Sequence, residues 1–327
     1  MDRLIITGGT GFIGRHLVKK ILSSKPTSIA LVANSSNMHD NFTEKKLFQD
    51  ARLKRYIADI RDRKAISDVF KHENAETCIH LAAKISVADS IKNPEETMDI
   101  NVKGTQNVLE ACSYNKVRNF VFASSAAVYG DVAELPISEN HSLRPLSPYG
   151  ASKMLAEELV FRYNKLKKIQ NTTTLRIFNV YGADNVSESD VVSRFIARLS
   201  NGLAPIIHGD GNHTRDFISV DDVVDGILLS IKAMENRHNT KLSPSPVFNM
   251  GSGMATSINE LAQEMISISG LELNPIHQKA KQDNRVILHS YADMTKAKRV
   301  LQFVARKNLE RGLREIIEPI ILRKNFH

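Results

Sequence analysis

Arg3-Leu4-Ile5-Ile6-Thr7 runs directly into Gly8-Gly9-Thr10-Gly11-Phe12-Ile13-Gly14, and beyond it apolar residues recur at Leu17, Val18, Ile21 and Leu22. The first five residues are apolar and partly β-branched, as a buried strand requires, and the later spacing is that of an amphipathic helix. Strand, glycine loop and helix in this order read as a dinucleotide-binding unit. In the GxxGxxG spacing of Gly8, Gly11 and Gly14, one glycine turns the chain, one admits a pyrophosphate close to the backbone, and one lets helix and strand pack. Phe12 and Ile13 complete the cofactor contacts expected at this helix N-terminus, whose N–H groups and positive dipole end favour phosphate. Plain turn glycines would spell the same three letters, so the strand before and the helix after carry the reading.

Outward from this unit, Ser28–Ala33 reads as a second strand. Its end usually carries an acidic residue for the adenosine ribose, but here Ala33-Asn34-Ser35-Ser36 stands in that place. Asn34 is then the ribose contact. Without a carboxylate nothing repels a 2′-phosphate, yet no arginine adjoins to bind one, and Lys45 and Lys46 lie further on. NAD is preferred and NADP stays open. Leu53 to Ala58 gives a third strand ending in Asp59-Ile60, where the carboxylate can accept from an adenine amino group or belong to the N-cap region of a helix from Asp62 to Lys71. Thr77 to Leu81 is the fourth strand, and Leu81, Ala82 and Ala83 let a cofactor pass close to the backbone, with Lys84 beyond. Pro94 to Asn115 reads as one long amphipathic helix, with Asn101, a further cofactor contact, near its middle. Phe120 to Ala123 is the fifth strand and delivers Ser124 and Ser125. This alternation predicts an α/β fold with a doubly wound parallel sheet and ligands at the carboxyl ends of its strands.

The 327 residues suffice for one large or two moderate domains. With 42% hydrophobic and 24% charged residues the composition is that of a soluble globular protein. No apolar run reaches the roughly 18 residues that a membrane span needs, and the start of the chain offers no signal-peptide core. A cytoplasmic protein without membrane or nucleic-acid partners is expected: the net charge of +8 is scattered and equally suits a dinucleotide and a nucleotide diphosphate. Cys78 and Cys112 lack metal or redox spacing and read as buried thiols, and no metal-ligand set occurs.

The chemistry concentrates in Ser124-Ser125-Ala126-Ala127-Val128-Tyr129-Gly130 and Tyr149-Gly150-Ala151-Ser152-Lys153. Tyr149 and Lys153 are one helical turn apart and face the same way. A phenol with a free pKa near ~10 is a poor base until a neighbouring ammonium favours its phenolate. Lys153 can do this and hold the nicotinamide ribose, while Ser125 holds a substrate hydroxyl and passes its proton to Tyr149.

Together with His80-Leu81-Ala82-Ala83 and the glycine loop, these motifs resemble the extended short-chain dehydrogenase/reductase family, and more closely its nucleotide-sugar epimerase/dehydratase branch. The resemblance runs from Leu4 to about Leu301. It implies hydride exchange at C4 of a hexose, with Tyr149 as base, Lys153 as its support and Ser125 as hydroxyl partner. Arg176-Ile177-Phe178-Asn179-Val180-Tyr181-Gly182, at the end of a strand read from Leu175 to Val180, implies that Asn179 contacts the substrate phosphates. After a helix from Val191 to Leu199 and a short strand near Ile206, a glycine-rich turn displays Arg215, whose guanidinium suits a diphosphate. Asp221 and Asp222 suggest caps for the helix that follows. Phe248-Asn249-Met250-Gly251-Ser252-Gly253 and a helix from Ser257 to Ile268 also resemble the branch. Where the branch commonly has an arginine, Leu288 stands here, with Arg285 or Lys281 as candidate replacements. Ser290 occupies the position that limits room beside the sugar's 2-substituent, and a serine there implies that N-acetylhexosamines fit as well as plain hexoses. Lys84, Ser124 and Ser125 complete the expected substrate contacts.

Dehydratases of the branch carry an Asp-Glu pair directly after the catalytic hydroxyl, and decarboxylases a glutamate. Ala126-Ala127 leaves redox at C4 alone. The expectation is a nucleotide-sugar 4-epimerase acting through a 4-keto intermediate on UDP-glucose/UDP-galactose or UDP-N-acetylhexosamines. A nucleotide-sugar dehydrogenase or reductase is the alternative, and a cofactor-sensing protein without catalysis a more distant one. Residues 1–180 form the expected dinucleotide-binding domain, with segments around 206–250 returning to it, and 181–327 mainly the nucleotide-sugar domain. The resemblance also implies a homodimer built on the Pro94–Asn115 and Tyr149–Leu166 helices, with Leu159 and Phe161 outward.

Overall fold

The computed structural model describes residues 3–23, 28–34, 49–185, 190–236, 246–279 and 287–324. Ser35, Ser36, Lys45, Lys46, Lys281 and Arg285 lie outside them. The chain divides into two compact units, 1–128 with 147–176 and 224–248, and 129–146 with 177–223 and 249–327.

The first unit opens with β1 (Arg3–Thr7), α1 (Phe12–Leu22), β2 (Ser28–Ala33), β3 (Leu53–Ile57), α2 (Arg63–Glu73), β4 (Thr77–His80) and α3 (Val87–Lys92). Then come α4 (Pro94–Met98), a π turn (Asp99–Lys103), α5 (Gly104–Tyr114), β5 (Asn119–Ser125), a 3-10 turn (Ala126–Val128), α6 (Pro148–Lys165) and β6 (Asn171–Ile177). The long helix predicted from Pro94 is therefore interrupted, and Asn101 sits in the π turn, a distortion that often marks a functional position.

In chain order follow β7 (Asn179–Tyr181), α7 (Val191–Leu199), β8 (Ile206–His208), β9 (Thr214–Arg215), β10 (Phe217–Ser219), α8 (Val220–Glu235) and β11 (Val247–Met250). The chain ends with β12 (Thr256–Ser257), α9 (Ile258–Ser269), β13 (Ile276–Gln278), β14 (His289–Ser290), α10 (Thr295–Leu301) and α11 (Leu309–Lys324).

The main sheet has the order β11-β6-β5-β4-β1-β2-β3. β1 pairs in parallel with β2 on one side and β4 on the other, so the strand order reverses between β1 and β4. The carboxyl ends flanking that reversal carry the glycine loop and Leu81-Ala82-Ala83, where a doubly wound sheet receives its ligand. Beneath it, Ile5, Val32, Cys78, Phe120 and Phe122 of the strands pack with Ile66, Phe70, Val108, Leu109, Cys112, Ala156 and Val160 of α2, α5 and α6. Cys78 and Cys112 are free and buried.

Two expectations need correction. The strand read from Leu175 to Val180 is two strands: β6 stays in the main sheet, and β7 pairs in parallel with β10. Phe178, between them, donates its N–H to Met250 O at 2.9 Å. Asp221 and Asp222 lie within the first turn of α8 rather than ahead of it. Asp222 accepts the backbone N–H groups of Arg306 and Lys307 at 2.9 and 3.1 Å, and Asp221 takes the Lys307 ammonium at 2.8 Å.

The second unit has its own core, in which Tyr181, Val192, Phe195, Leu199, Leu261, Met265, Leu313 and Ile317 come together. A capping box between Ser257 and Glu260 starts α9. Beside it lies a three-stranded sheet of order β12-β9-β14. No helix among the described residues is long and apolar enough to cross a membrane.

Candidate active site

At the glycine loop the backbone does what no side chain would allow. Gly8 has φ +72°, and a Cβ there would lie 2.6 Å from Ala82 N; a Cβ on Gly14 would lie 2.4 Å from Gly8 O. Loop, helix and the end of β4 are thus in backbone contact, the close approach that a dinucleotide pyrophosphate requires. Gly11 caps α1 without a side-chain hydrogen bond, and no acidic residue stands in the first turn, so the helix end keeps its positive character. Phe12, Ile13, Leu81, Ala82 and Ala83 are all partly accessible around this loop, and Asn34, after β2, is exposed.

Some expected contacts have other partners. The helix cap is Asp62, which accepts from Lys64 N and Ala65 N at 3.0 Å. Asp59 instead holds the Arg61 guanidinium, with Nη2 at 2.7 Å, which keeps the carboxyl below its usual range. Ile60 gives its carbonyl to Asn107 at 2.9 Å and its side chain to the core. Lys84 gives its ammonium to Glu96. Asn101 brackets the Lys84 peptide, accepting from its N–H at 2.8 Å and donating to its carbonyl at 2.9 Å, and also donates to Ser152 Oγ at 2.9 Å. Asn101 therefore ties the turn after β4 to α6.

Ser147 caps α6 by accepting from Gly150 N at 3.1 Å, and Pro148 occupies the first turn. Tyr149, Lys153 and Glu157 then follow at four-residue spacing along the buried side of the helix, at 9%, 4% and 8% exposure. Burial pushes the Tyr149 phenol up, and its hydrogen bond with Ser125 pulls it down. Lys153 donates to Ala123 O at 2.8 Å and lies 5.0 Å from the centre of the Phe122 ring. Burial lowers its pKa to about 8, while the charge of Glu157 opposes that fall. Ser125 and Tyr149 thus share a hydrogen bond, and Lys153, one turn further along α6, is bonded to the strand that ends in Ser125.

Ser124 takes a different part. Its hydroxyl donates to Glu157 Oε1 at 2.5 Å, and Glu157 also receives the Arg176 guanidinium, with Nη2 at 2.7 Å. The Ser124 hydroxyl, expected to contact substrate, is thus engaged with a buried ion pair. Neither Glu157 nor Arg176 was singled out by spacing, although Glu157 continues the Tyr149–Lys153 period.

His80 is a second residue with an unforeseen role. Thr105 Oγ1 gives its proton to Asn101 O at 2.6 Å, so His80 Nε2 must donate to Thr105 Oγ1 at 2.9 Å, and Nδ1 accepts from Thr7 Oγ1 at 2.6 Å. Burial, with the Lys153 charge adding to it, holds the imidazole neutral, with its pKa lowered to about 3.

In the second unit, Arg215 and Ser290 are register partners in the β9–β14 pairing. Ser290 is buried. Arg215 donates through Nη1 to Thr214 O at 2.8 Å, and the Asp131 charge opposes the lowering that burial imposes on the guanidinium. Asp131 also accepts from Leu288 N at 3.0 Å, which fixes the segment leading to Ser290. Asn179 is exposed on β7 and donates its N–H to Asp216 O at 3.0 Å. The buried Asp216 carboxylate accepts from Ser252 N, Ser252 Oγ, Gly253 N and Ala292 N at 2.6–3.0 Å, holding the residue next to Arg215 in place. Among the described residues no group of acidic, histidine or cysteine side chains could hold a metal ion.

Taking a proton from an alcohol beside a dinucleotide loop is the work of short-chain dehydrogenases and reductases, and fold and site together place the chain in that class. Within it, the chain belongs to the NAD dependent epimerase/dehydratase family, whose model matches residues 4–251. The candidate UDP-glucose 4-epimerase of Methanocaldococcus jannaschii is 36% identical over 317 residues, 96% of this chain and 97% of that protein. The structure of Thermotoga maritima UDP-glucose 4-epimerase with UDP-glucose matches at TM-score 0.86 and 30% identity, covering 100% of both chains. That of a UDP-N-acetylglucosamine 4-epimerase from Methanobrevibacter ruminantium with UDP-N-acetylmuramic acid also reaches 0.86, at 26% identity, covering 98% of this chain and 99% of that one.

Proposed function

We propose that the protein is an NAD-dependent nucleotide-sugar 4-epimerase working on UDP-glucose/UDP-galactose or the corresponding UDP-N-acetylhexosamines. The observation that carries this reading is the end of β5. Ser125 meets Tyr149 there, and the 3-10 turn that follows presents Ala126 and Ala127 instead of a carboxylate. An alcohol can be oxidised at such a site, but the turn supplies no acid or base for eliminating water.

The glycine loop with Leu81, Ala82 and Ala83 would hold the dinucleotide, and Lys153 its nicotinamide ribose. Bound there, NAD would supply a reversible hydride acceptor for C4 of the sugar. Ser125 holds the 4-hydroxyl and passes its proton to Tyr149. A buried phenol resists ionisation, so the ammonium of Lys153 is needed to favour the phenolate. Arg215 and Asn179 would bind the diphosphate, and Ser290 would lie beside the sugar's 2-substituent.

The same reading gives cofactor binding to 1–180 with its returning segments and nucleotide-sugar binding mainly to 181–327. It also includes a homodimer, supported by the exposed Tyr114 on α5 and Leu155 and Phe161 on α6; Leu159 instead packs partly into the core. A cytoplasmic location is consistent with two unpaired buried thiols. Incubating purified protein with each UDP-sugar and resolving the products by chromatography tests the activity: a C4 epimer is expected, and its absence from every reaction refutes the reading.

A further inference from the structure

Glu157 is a buried carboxylate that the reaction above does not use. It lies one turn beyond Lys153 on the same side of α6, and its partners join three elements. Ser124 Oγ at 2.5 Å belongs to the end of β5, and Arg176, with Nε at 3.1 and 3.2 Å and Nη2 at 2.7 Å, belongs to β6. The ion pair is almost fully enclosed, with side chains 6% and 8% exposed. A pair desolvated to this degree gives little net stability over an apolar replacement, and polar clusters of this kind persist where geometry or charge is needed.

We propose that Glu157 is a positioning residue of the catalytic trio: clamped by Arg176, its carboxylate holds Ser124 so that the adjoining Ser125 faces Tyr149, and it supplies the negative charge opposite the Lys153 ammonium. This rests on the epimerase reading for its consequence, although not for its geometry. Around Lys153, α6 contributes Tyr149 and Glu157, β5 the Ala123 carbonyl and the serine hydroxyls, and β4 the neutral His80. Lys84 and Glu96 neutralise each other after β4. Glu157 is the carboxylate whose charge acts on Lys153.

Three variants separate the two tasks. Glu157→Gln alone strands a buried guanidinium and can fail to fold, so it is combined with Arg176→Gln. Glu157→Asp keeps the charge. Ser124→Ala keeps the ion pair and cuts its tie to β5. Protonation of Lys153 is read directly from its 13Cε resonance, assigned by its loss in Lys153→Met, and thermal melting verifies folding.

In the double variant the Lys153 midpoint is expected to fall, the direction that loss of the Glu157 charge imposes, and the alkaline limb of kcat/KM for UDP-glucose epimerisation moves with it. Glu157→Asp keeps the midpoint near that of the wild type. Ser124→Ala lowers kcat about tenfold or more, with KM within about twofold and the midpoint unmoved. A folded double variant with wild-type midpoint and limb, or Ser124→Ala with wild-type kcat, overturns the assignment. A wild-type protein that epimerises no nucleotide sugar while the midpoint shifts in the double variant refutes the epimerase reading and leaves the charge role of Glu157 standing.

Discussion

Lys153 donates its ammonium to the carbonyl oxygen of Ala123 at 2.8 Å, two residues before Ser125. One hydrogen bond thus joins Lys153 on α6 to the strand that ends in Ser125. It also places a charge where burial opposes it, which has a measurable consequence. The folded pKa, about 8, lies below the ordinary lysine value of 10.5. A cation group depressed in this way contributes stability that is present above the unfolded pKa and lost as pH falls through the folded one. The wild type should therefore gain stability relative to Lys153→Met between pH 8 and 10.5, by up to about 1.4 kcal/mol per unit. Denaturant unfolding of both proteins across that range measures it.

Removing either proton carrier should stop chemistry and spare binding. Tyr149→Phe and Ser125→Ala are each expected to lower kcat by about 10²- to 10⁴-fold, with small changes in KM. Steady-state kinetics on UDP-glucose checks this, and NAD content after denaturation should match that of the wild type.

Gly8 and Gly14 have no room for a side chain. At Gly8 an added methyl meets Ala82 N at 2.6 Å on a left-handed backbone, and at Gly14 it meets Gly8 O at 2.4 Å. Gly8→Ala and Gly14→Ala should each cost about 1–3 kcal/mol and lower the NAD retained on purification. Thermal melting and quantified cofactor content read the two effects separately.

His80 predicts an acid limb. With its pKa lowered from 6.5 to about 3, it contributes stability fully present above pH 6.5 and lost as pH falls toward 3. Across that window the wild type should lose up to about 1.4 kcal/mol per unit more than His80→Gln, which has no imidazole to protonate. Urea midpoints for both proteins between pH 7 and 4 provide the comparison.

Arg215 acts on binding. If Arg215 binds the diphosphate as proposed, Arg215→Met should raise KM for a UDP-sugar about 10- to 100-fold while kcat changes little. Equal losses in kcat and kcat/KM would move Arg215 from substrate binding to the transition state.

What could be read from the chain alone followed the range of the interactions involved. The glycine loop and the Tyr149–Lys153 turn depend on spacings within one strand, loop or helix, so their residue types reveal them. The strand order follows from the alternation of elements around that loop. Glu157 repeats the same helical period, but its meaning comes from Ser124 on β5 and Arg176 on β6, contacts that periodicity does not encode. For the same reason the partners of Ser124, Lys84 and Asp222, which are Glu157, Glu96, and the backbone at Arg306 and Lys307, are not encoded in the local pattern around them. The break between β6 and β7 escaped because Ile177-Phe178-Asn179-Val180 is strand-like throughout; the change of sheet shows only in the pairing of β7 with β10.

In the proposed reaction hydrogen leaves C4 and returns to the same carbon within one catalytic cycle. The direct measurement is the fate of deuterium in UDP-glucose labelled at C4, incubated with purified protein and followed by mass spectrometry and by absorbance of reduced cofactor. The expected product is UDP-galactose that retains the deuterium at C4, with no net accumulation of NADH. Loss of the label to solvent, or NADH formed in proportion to a stable oxidised sugar, would contradict it.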